Sequence, residues 1–386
     1  MSAICAGTGG RPHSGVAPRV AFFHQNDVFQ TQGGIERYVA TIFDGAPERV
    51  VLVSAGKSRD SARIFDVDMK PTGGVPRWIG YLLAVFAERR AIATFLRENN
   101  VQTLEFSRPE YIFAGLLFPG KRAVTIHGTG PGPGNRLHWL LHHGCCLLLP
   151  FLADRVQIVG RDPSGVPRIA RWLLGARIAY FDAWYDESFA PAPLPPLEAA
   201  APLRVFYGGR IAPQKNPKLL FDIIREASRT TPNAFEFHYF GSDFEAFGRE
   251  GLDDLVIDHG FLGPRALADA MRSCHLGLMC SAFGEGSPYV VVEGLACGRP
   301  YILPTLPTLR AAYDGYEGVY FVERYEAQHY LAAMARVRAL MLAGGVDPSK
   351  IAAQMTARAR SRAVPKLVDE LSDLARGVVE REPAGC

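Results

Sequence analysis

Two carboxylates, Glu285 and Glu293, stand eight residues apart in the stretch 282–300, AFGEGSPYVVVEGLACGRP. Ser287 is a residue type that caps helix N-termini, and Pro288 suits the first helical position, where a missing N–H costs nothing. Gly298, followed by Arg299 and Pro300, reads as a helix stop. The spacing predicts a short helix with Glu285 on the loop just before it and Glu293 about a turn and a half inside. Free backbone N–H groups, a positive dipole end and two acidic side chains then gather around one small volume. Amides suit phosphate and carboxylates suit sugar hydroxyls, so a nucleotide sugar is the ligand this chemistry fits.

The elements that must position this pair alternate between strand and helix. In the first half, 19–24 reads as a buried strand leading through Gly33-Gly34 into an amphipathic helix, the opening unit of a doubly wound sheet. Further strands are expected at 50–54, 101–106, 123–126, 155–159 and 177–180, with one long helix over 76–99. The strand at 123–126 runs into His127-Gly128-Thr129-Gly130, which puts His127 at the carboxyl end of a parallel strand, where such sheets bind ligands. The run 138–152, HWLLHHGCCLLLPFL, is apolar on more than one side; core packing is the expectation, and a surface for lipid or a hydrophobic acceptor is the sharper reading. After the Pro/Ala-rich stretch 191–202 the alternation restarts, with strands at 203–207, 235–240, 256–261, 276–280, 299–303 and 318–322 and a last helix over about 365–380. Two such arrays predict two Rossmann-like domains facing across a cleft. The boundaries expected are a disordered tail 1–18, an acceptor-binding domain 19–190, a linker 191–202 and a donor-binding domain 203–359. The C-terminal helix within 360–386 is expected to pack back on the first domain.

Composition fits this picture. The chain of 386 residues is 48% hydrophobic and 21% charged with a net charge of +3, which gives no ground for nucleic acid as a partner. The charge is uneven: residues 1–190 carry 21 Lys+Arg against 16 Asp+Glu, and residues 191–386 carry 21 against 23. A mildly basic first half favours an anionic acceptor or a membrane surface. Seven cysteines in no metal-like spacing suggest a reduced, cytoplasmic protein, and Cys145-Cys146 beside His142-His143 read as packed thiols. Residues 1–18 lack the apolar core of a signal peptide, and no apolar run of about 18 residues suggests a membrane span.

The block Glu285-Gly-Ser-Pro-Tyr-Val-Val-Val-Glu293, with its Ala-Cys-Gly-Arg-Pro tail, resembles the E-x7-E signature of retaining glycosyltransferases of the GT-B fold, family 4 (glycosyl transferases group 1). Gly209-Arg210 with Lys215 resembles that family's Gly-Arg…Lys loop. Gly33-Gly34-Ile35-Glu36-Arg37 resembles its GG-x-E-R opening, and His127 falls where many members have an active-site His. The resemblance runs from about Val20 to Val322. It implies a hexosyltransferase with a nucleotide-diphosphate sugar as donor, no cofactor and no metal, because Arg210 and Lys215 would neutralise the diphosphate. Glu293 would grip the ribose diol and Glu285 the hydroxyls of the moving sugar. Amides of Gly286, Ser287 and Tyr289 would contact phosphate, and Gly33 and Gly34 would close against it. His127 would lie beside the sugar. The acceptor implied is a glycan or a lipid-linked molecule in envelope polysaccharide or lipopolysaccharide synthesis. A peripheral contact with the inner face of the cytoplasmic membrane is expected through 78–86 or 138–152. The chain departs from the family at Gly160-Arg161, at 182–186 and at 304–308, where Pro-Thr-Leu-Pro-Thr replaces a Gly-rich loop near the donor.

Three rivals are consistent with parts of this sequence. A catalytically silent nucleotide-sugar-binding partner would keep the same residues. An epimerase or phosphorylase on a related fold would not need both the Arg210/Lys215 and Glu285/Glu293 pairs. A metal-dependent GT-A transferase would need an Asp-x-Asp, and Asp66-Val67-Asp68 supplies one without an apolar strand before it.

Overall fold

The computed structural model describes residues 19–377, except 31–32, 57, 60, 71–75, 128–135, 243–250 and 253. The expected disordered tail at 1–18 lies outside the described residues.

The first sheet is parallel throughout, in the order β3-β2-β1-β4-β5-β6-β7. Its elements in chain order are β1 (Arg19–His24), α1 (Gly34–Gly45), β2 (Val50–Ser54), β3 (Ile64–Asp66), α2 (Arg77–Ala87), α3 (Arg89–Glu98) and β4 (Val101–Phe106). They continue as β5 (Lys121–His127), α4 (Arg136–Leu152), β6 (Arg155–Val159), α5 (Arg168–Leu174) and β7 (Ile178–Phe181). Strands covered on both faces need near-continuous apolar runs, and Val50-Val-Leu-Val-Ser54 is buried at every position.

The second sheet is also parallel, in the order β10-β9-β8-β11-β12-β13. It comprises β8 (Leu203–Gly208), α6 (Pro217–Thr230), β9 (Phe235–Phe240), β10 (Val256–Asp258), α7 (Pro264–Ser273), β11 (Leu276–Leu278) and α8 (Tyr289–Ala296). Then follow β12 (Tyr301–Pro304), α9 (Pro307–Tyr313), β13 (Val319–Val322), α10 (Ala327–Leu342) and α11 (Pro348–Ala353). The last helix, α12 (Arg360–Arg376), crosses back. Its Val364, Leu367, Val368 and Leu371 are buried in the core built by Val20 and Phe22 of the first sheet and Tyr38 and Ile42 of α1.

Four local expectations need correction. The long helix over 76–99 is two helices: Glu88 leaves helical geometry, and its carboxylate accepts the Asp68 amide at 2.8 Å. At that break the chain makes a tertiary contact that the local sequence does not carry. The last helix starts at Arg360, before Pro365, because Arg360 N–H donates to Tyr185 O and Ser361 N–H to Glu187. Asp66 does end a strand, β3, but a three-residue one at the sheet edge, where its carboxylate accepts the Gly56 amide. Finally, α4 is not all core. A helix apolar all round can turn only one stripe inward; His142, Cys145, Cys146 and Leu149 are buried while Leu140, Leu147, Leu148 and Phe151 face out.

Candidate active site

The loop before α8 carries Glu285, and the helix carries Glu293 on its fifth residue. Ser287 is not the cap. Pro288 occupies the capping position, and Ser287 Oγ accepts the Ala183 amide at 2.9 Å, tying this loop to the segment that follows β7. The adjoining Gly286 is approached just as closely. A Cβ on Gly160 would lie 2.5 Å from Gly286 O, and Gly160 has a φ of +88°. Glycine at 160 is therefore required both by its own backbone and by its neighbour across the cleft.

Glu285 is buried and held from three sides. Lys215 Nζ donates to its Oε1 at 2.6 Å, Ser281 Oγ at 2.7 Å and Gln214 Nε2 at 3.3 Å. All three converge on one oxygen, so Oε2 is engaged by none of them. Gln214 and Ser281 carry no motif signal in the sequence. Gln214 is brought in by backbone pairing, since Ala282 N–H donates to Gln214 O at 2.9 Å. Arg210 follows Gly209, whose φ is +119°, at the end of β8; it is exposed, with no ion-pair partner among the described residues.

Glu293 is buried and meets a residue from the other sheet. The guanidinium of Arg37, on α1, pairs with its Oε1 and lies 4.7 Å from the Tyr289 ring centre. Burial pushes the Glu293 carboxyl up, while the charge and hydrogen bond of Arg37 pull it back. Arg37 stands in the GG-x-E-R stretch, yet its reach to position 293 has no signature in that motif. An aromatic chain continues from this pair toward His127. Tyr289 meets Trp184 at 6.4 Å between ring centres, Trp184 meets Tyr38 at 5.3 Å, and Tyr38 meets His127 at 4.8 Å.

His127 is intermediate in exposure, but its Nε2 is shielded and has no hydrogen-bond partner among the described residues. Burial pushes its pKa down to about 3, with repulsion from His24 adding to it, so the ring is neutral at neutral pH. At the start of α1, Gly33 and Gly34 are exposed. The Glu36 carboxylate folds back so closely that a Cβ on Gly33 would lie 2.2 Å from Oε2. Burial opposes ionisation of Glu36, but hydrogen bonds and charge from His24, with a hydrogen bond from Asn26, hold its carboxyl down at about 2.

The structure thus brings Glu285 to Lys215, and Glu293 and Tyr289 to Arg37, with His127 at the end of an aromatic path. Arg210, Gly209, Gly33 and Gly34 line the ends of β8 and α1 without touching either carboxylate. Among the described residues no cluster of three or more His, Cys, Asp or Glu is arranged to hold a metal ion. His142 does link Glu110 to Cys146, at 3.2 and 3.7 Å, but burial pushes the Cys146 thiol far above its ordinary range, so it is no nucleophile.

Beneath the site, fully buried Glu105 on β4 has its carboxyl pushed up to about 8 by burial, with Thr125 opposing. Between its ordinary 4.5 and about 8, the folded protein keeps a proton that the unfolded chain has lost. Stability therefore falls as pH rises through that window. A Glu105→Gln variant is expected to gain on the order of 2 kcal/mol over the wild type at pH 8 and nothing near pH 4.5. Chemical denaturation at the two pH values measures this, and a gain independent of pH would refute the buried, protonated state.

One family model matches within the second half of the chain. The family model described as "Glycosyl transferases group 1" matches residues 202–339. A sequence search of curated proteins gives no match. Solved structures align along nearly the whole chain. Sucrose-phosphate synthase from Thermosynechococcus elongatus has a TM-score of 0.73 at 15% identity, over 93% of this chain and 100% of that one. HepE from Anabaena in complex with UDP-glucose has 0.67 at 13%, over 93% and 100%. The lipopolysaccharide outer core galactosyltransferase WaaB, in its apo form, has 0.63 at 16%, over 93% and 99%. At these identities the likeness defines the fold, which is GT-B. The fold together with the family match over 202–339 supports a glycosyltransferase of GT-B type.

Proposed function

We propose that this protein is a retaining hexosyltransferase of the family 4 kind. It would move a sugar from a nucleotide-diphosphate sugar to a glycan or lipid-linked acceptor in envelope polysaccharide or lipopolysaccharide synthesis, in the cytoplasm. The observation that carries the reading is the Glu285–Lys215 contact on the loop entering α8, with Glu293 one and a half turns further on. A lysine beside the sugar-side carboxylate puts a cation and hydroxyl acceptors within one small volume. HepE, a protein of this fold, has been solved with UDP-glucose bound.

In this reading residues 203–359 form the donor-binding domain and 19–190 the acceptor-binding domain, joined by the linker 191–202. Glu293 accepts from the ribose diol. Arg210 and Lys215, with the amides of Gly286, Ser287 and Tyr289, stabilise the departing diphosphate, so no metal is required. Gly33 and Gly34 close on the same group from the other side. Glu285 Oε2 receives a hydroxyl of the sugar. His127, being neutral, hydrogen-bonds the sugar and carries no charge to the anomeric carbon. The bond from that carbon to the phosphate oxygen breaks as the bond to the acceptor oxygen forms on the same face. The acceptor's proton passes to the phosphate oxygen that leaves. An open hollow of about 480 Å³ at the carboxyl ends of β2 and β3, lined by Gly56, Asp66, Asp68 and Arg77 among others, offers carboxylates to acceptor hydroxyls.

Release of nucleoside diphosphate from a panel of nucleotide sugars, with and without a cell-envelope extract as acceptor, tests the reaction. Release is expected, with the anomeric configuration of the donor kept in the product. No release under either condition would leave a silent nucleotide-sugar-binding partner instead. Arg210→Ala is expected to lower kcat/KM by about 100-fold with unchanged thermal stability, since Arg210 has no structural partner among the described residues to lose.

A further inference from the structure

The outward stripe of α4 is made of Leu140, Leu147, Leu148 and Phe151, with Phe151 74% exposed. Helix α5 packs beside α4 and exposes Ile169 and Trp172, three residues apart on one face, with Trp172 78% exposed. One uncovered tryptophan is ordinary; several large apolar side chains on two packed helices form a patch that a monomer in water does not favour. The charges around it are one-sided. Neither α4 nor α5 contains an acidic residue, while Arg168 and Arg171 lie on α5; of the arginines that flank it, Arg161 pairs with Asp182 at 3.4 Å and Arg177 donates to the carbonyls of Pro150 and Ala153. The two acids between residues 136 and 177 are already engaged. Asp154 pairs with Lys121 at 2.9 Å, and Asp162 accepts the Ser164 amide and hydroxyl.

We propose that the α4–α5 face docks flat on a lipid bilayer whose surface carries anionic headgroups. Leu148, Phe151 and Trp172 enter the boundary between headgroups and acyl chains, and Arg168 and Arg171 pair with lipid phosphates. No helix among the described residues is long and apolar enough to cross a membrane, so the contact is with one leaflet. Charge complementarity selects the bilayer over a second copy of this chain. Two copies of this face would bring Arg168 and Arg171 against their like, with no carboxylate on either helix to meet them. The inference goes beyond sugar transfer and needs no nucleotide, so it stands or falls separately from the activity.

Vesicle flotation with the full-length protein tests it, using phosphatidylcholine alone and phosphatidylcholine mixed with phosphatidylglycerol. The wild type is expected to float with the anionic vesicles and to be left behind by the neutral ones. Phe151→Asp and Trp172→Asp, both at exposed positions, are each expected to lower the bound fraction on the order of tenfold, with the melting temperature unchanged. Arg168→Glu is expected to weaken binding to anionic vesicles and to make what binding remains less sensitive to salt. Absence of wild-type flotation, or variants that float as well as the wild type, would overturn the proposal. So would a wild-type dimer in sedimentation that Trp172→Asp splits into monomers, because the face would then belong to a second copy.

Discussion

A Glu285→Gln enzyme is expected to bind nucleoside diphosphate about as the wild type does and to transfer sugar about 100- to 1,000-fold more slowly. The amide keeps the shape of the carboxylate but loses the charge that holds Lys215 at 2.6 Å and the acceptor lone pairs offered to the sugar. If Glu285 serves the moving sugar, the loss falls on kcat, with the KM for donor little changed. If it only orients Lys215 toward the diphosphate, the loss falls on donor binding. Steady-state kinetics with a titration of the free diphosphate separates the two. Full transfer activity in the variant would remove Glu285 from the site.

The second large effect is expected at Arg37. Its guanidinium is the cation paired with the buried carboxylate of Glu293, and it comes from the opposite sheet. Arg37→Met leaves that carboxylate facing an apolar side chain. Because Arg37 is itself about a third exposed, the cost is set below that of a fully buried pair, at about 2 kcal/mol. The deficit is expected to shrink as pH falls, since burial already pushes the Glu293 carboxyl up and protonation then relieves the unpaired charge. Adding Glu293→Gln to Arg37→Met should recover most of the loss in stability, while donor KM stays high because the ribose has lost its carboxylate. A double-mutant cycle measured by denaturant unfolding checks this. Additive destabilisation would mean that the two side chains do not communicate.

Both sheets were legible because buried parallel strands leave near-continuous apolar runs, as in residues 50–54, and because helices of period 3.6 separate them. The spacing of Glu285 and Glu293 likewise located a loop and a helix from local chemistry. What stayed hidden depends on how the two sheets meet. Arg37 and Glu293 are 256 positions apart, and no local pattern couples them. Ser287 has the sequence of a cap but is claimed by the Ala183 amide, a partner supplied by a different element. The break at Glu88 coincides with a contact inside the first half of the chain, where its carboxylate accepts the Asp68 amide, again a pairing with no local pattern. The sequence leaves core packing and an exposed surface both open for α4, because a helix apolar on every side says nothing about which stripe the sheet will cover.

The return of α12 to the first sheet has a consequence for synthesis. Val364, Leu367, Val368 and Leu371 fill the core over Val20, Phe22 and Ile42. As the chain emerges from the ribosome, its opening strands wait for its closing helix. The earliest-made sheet is therefore among the last parts to be sealed, and a nascent chain stopped before residue 360 exposes apolar surface that only its missing end can cover.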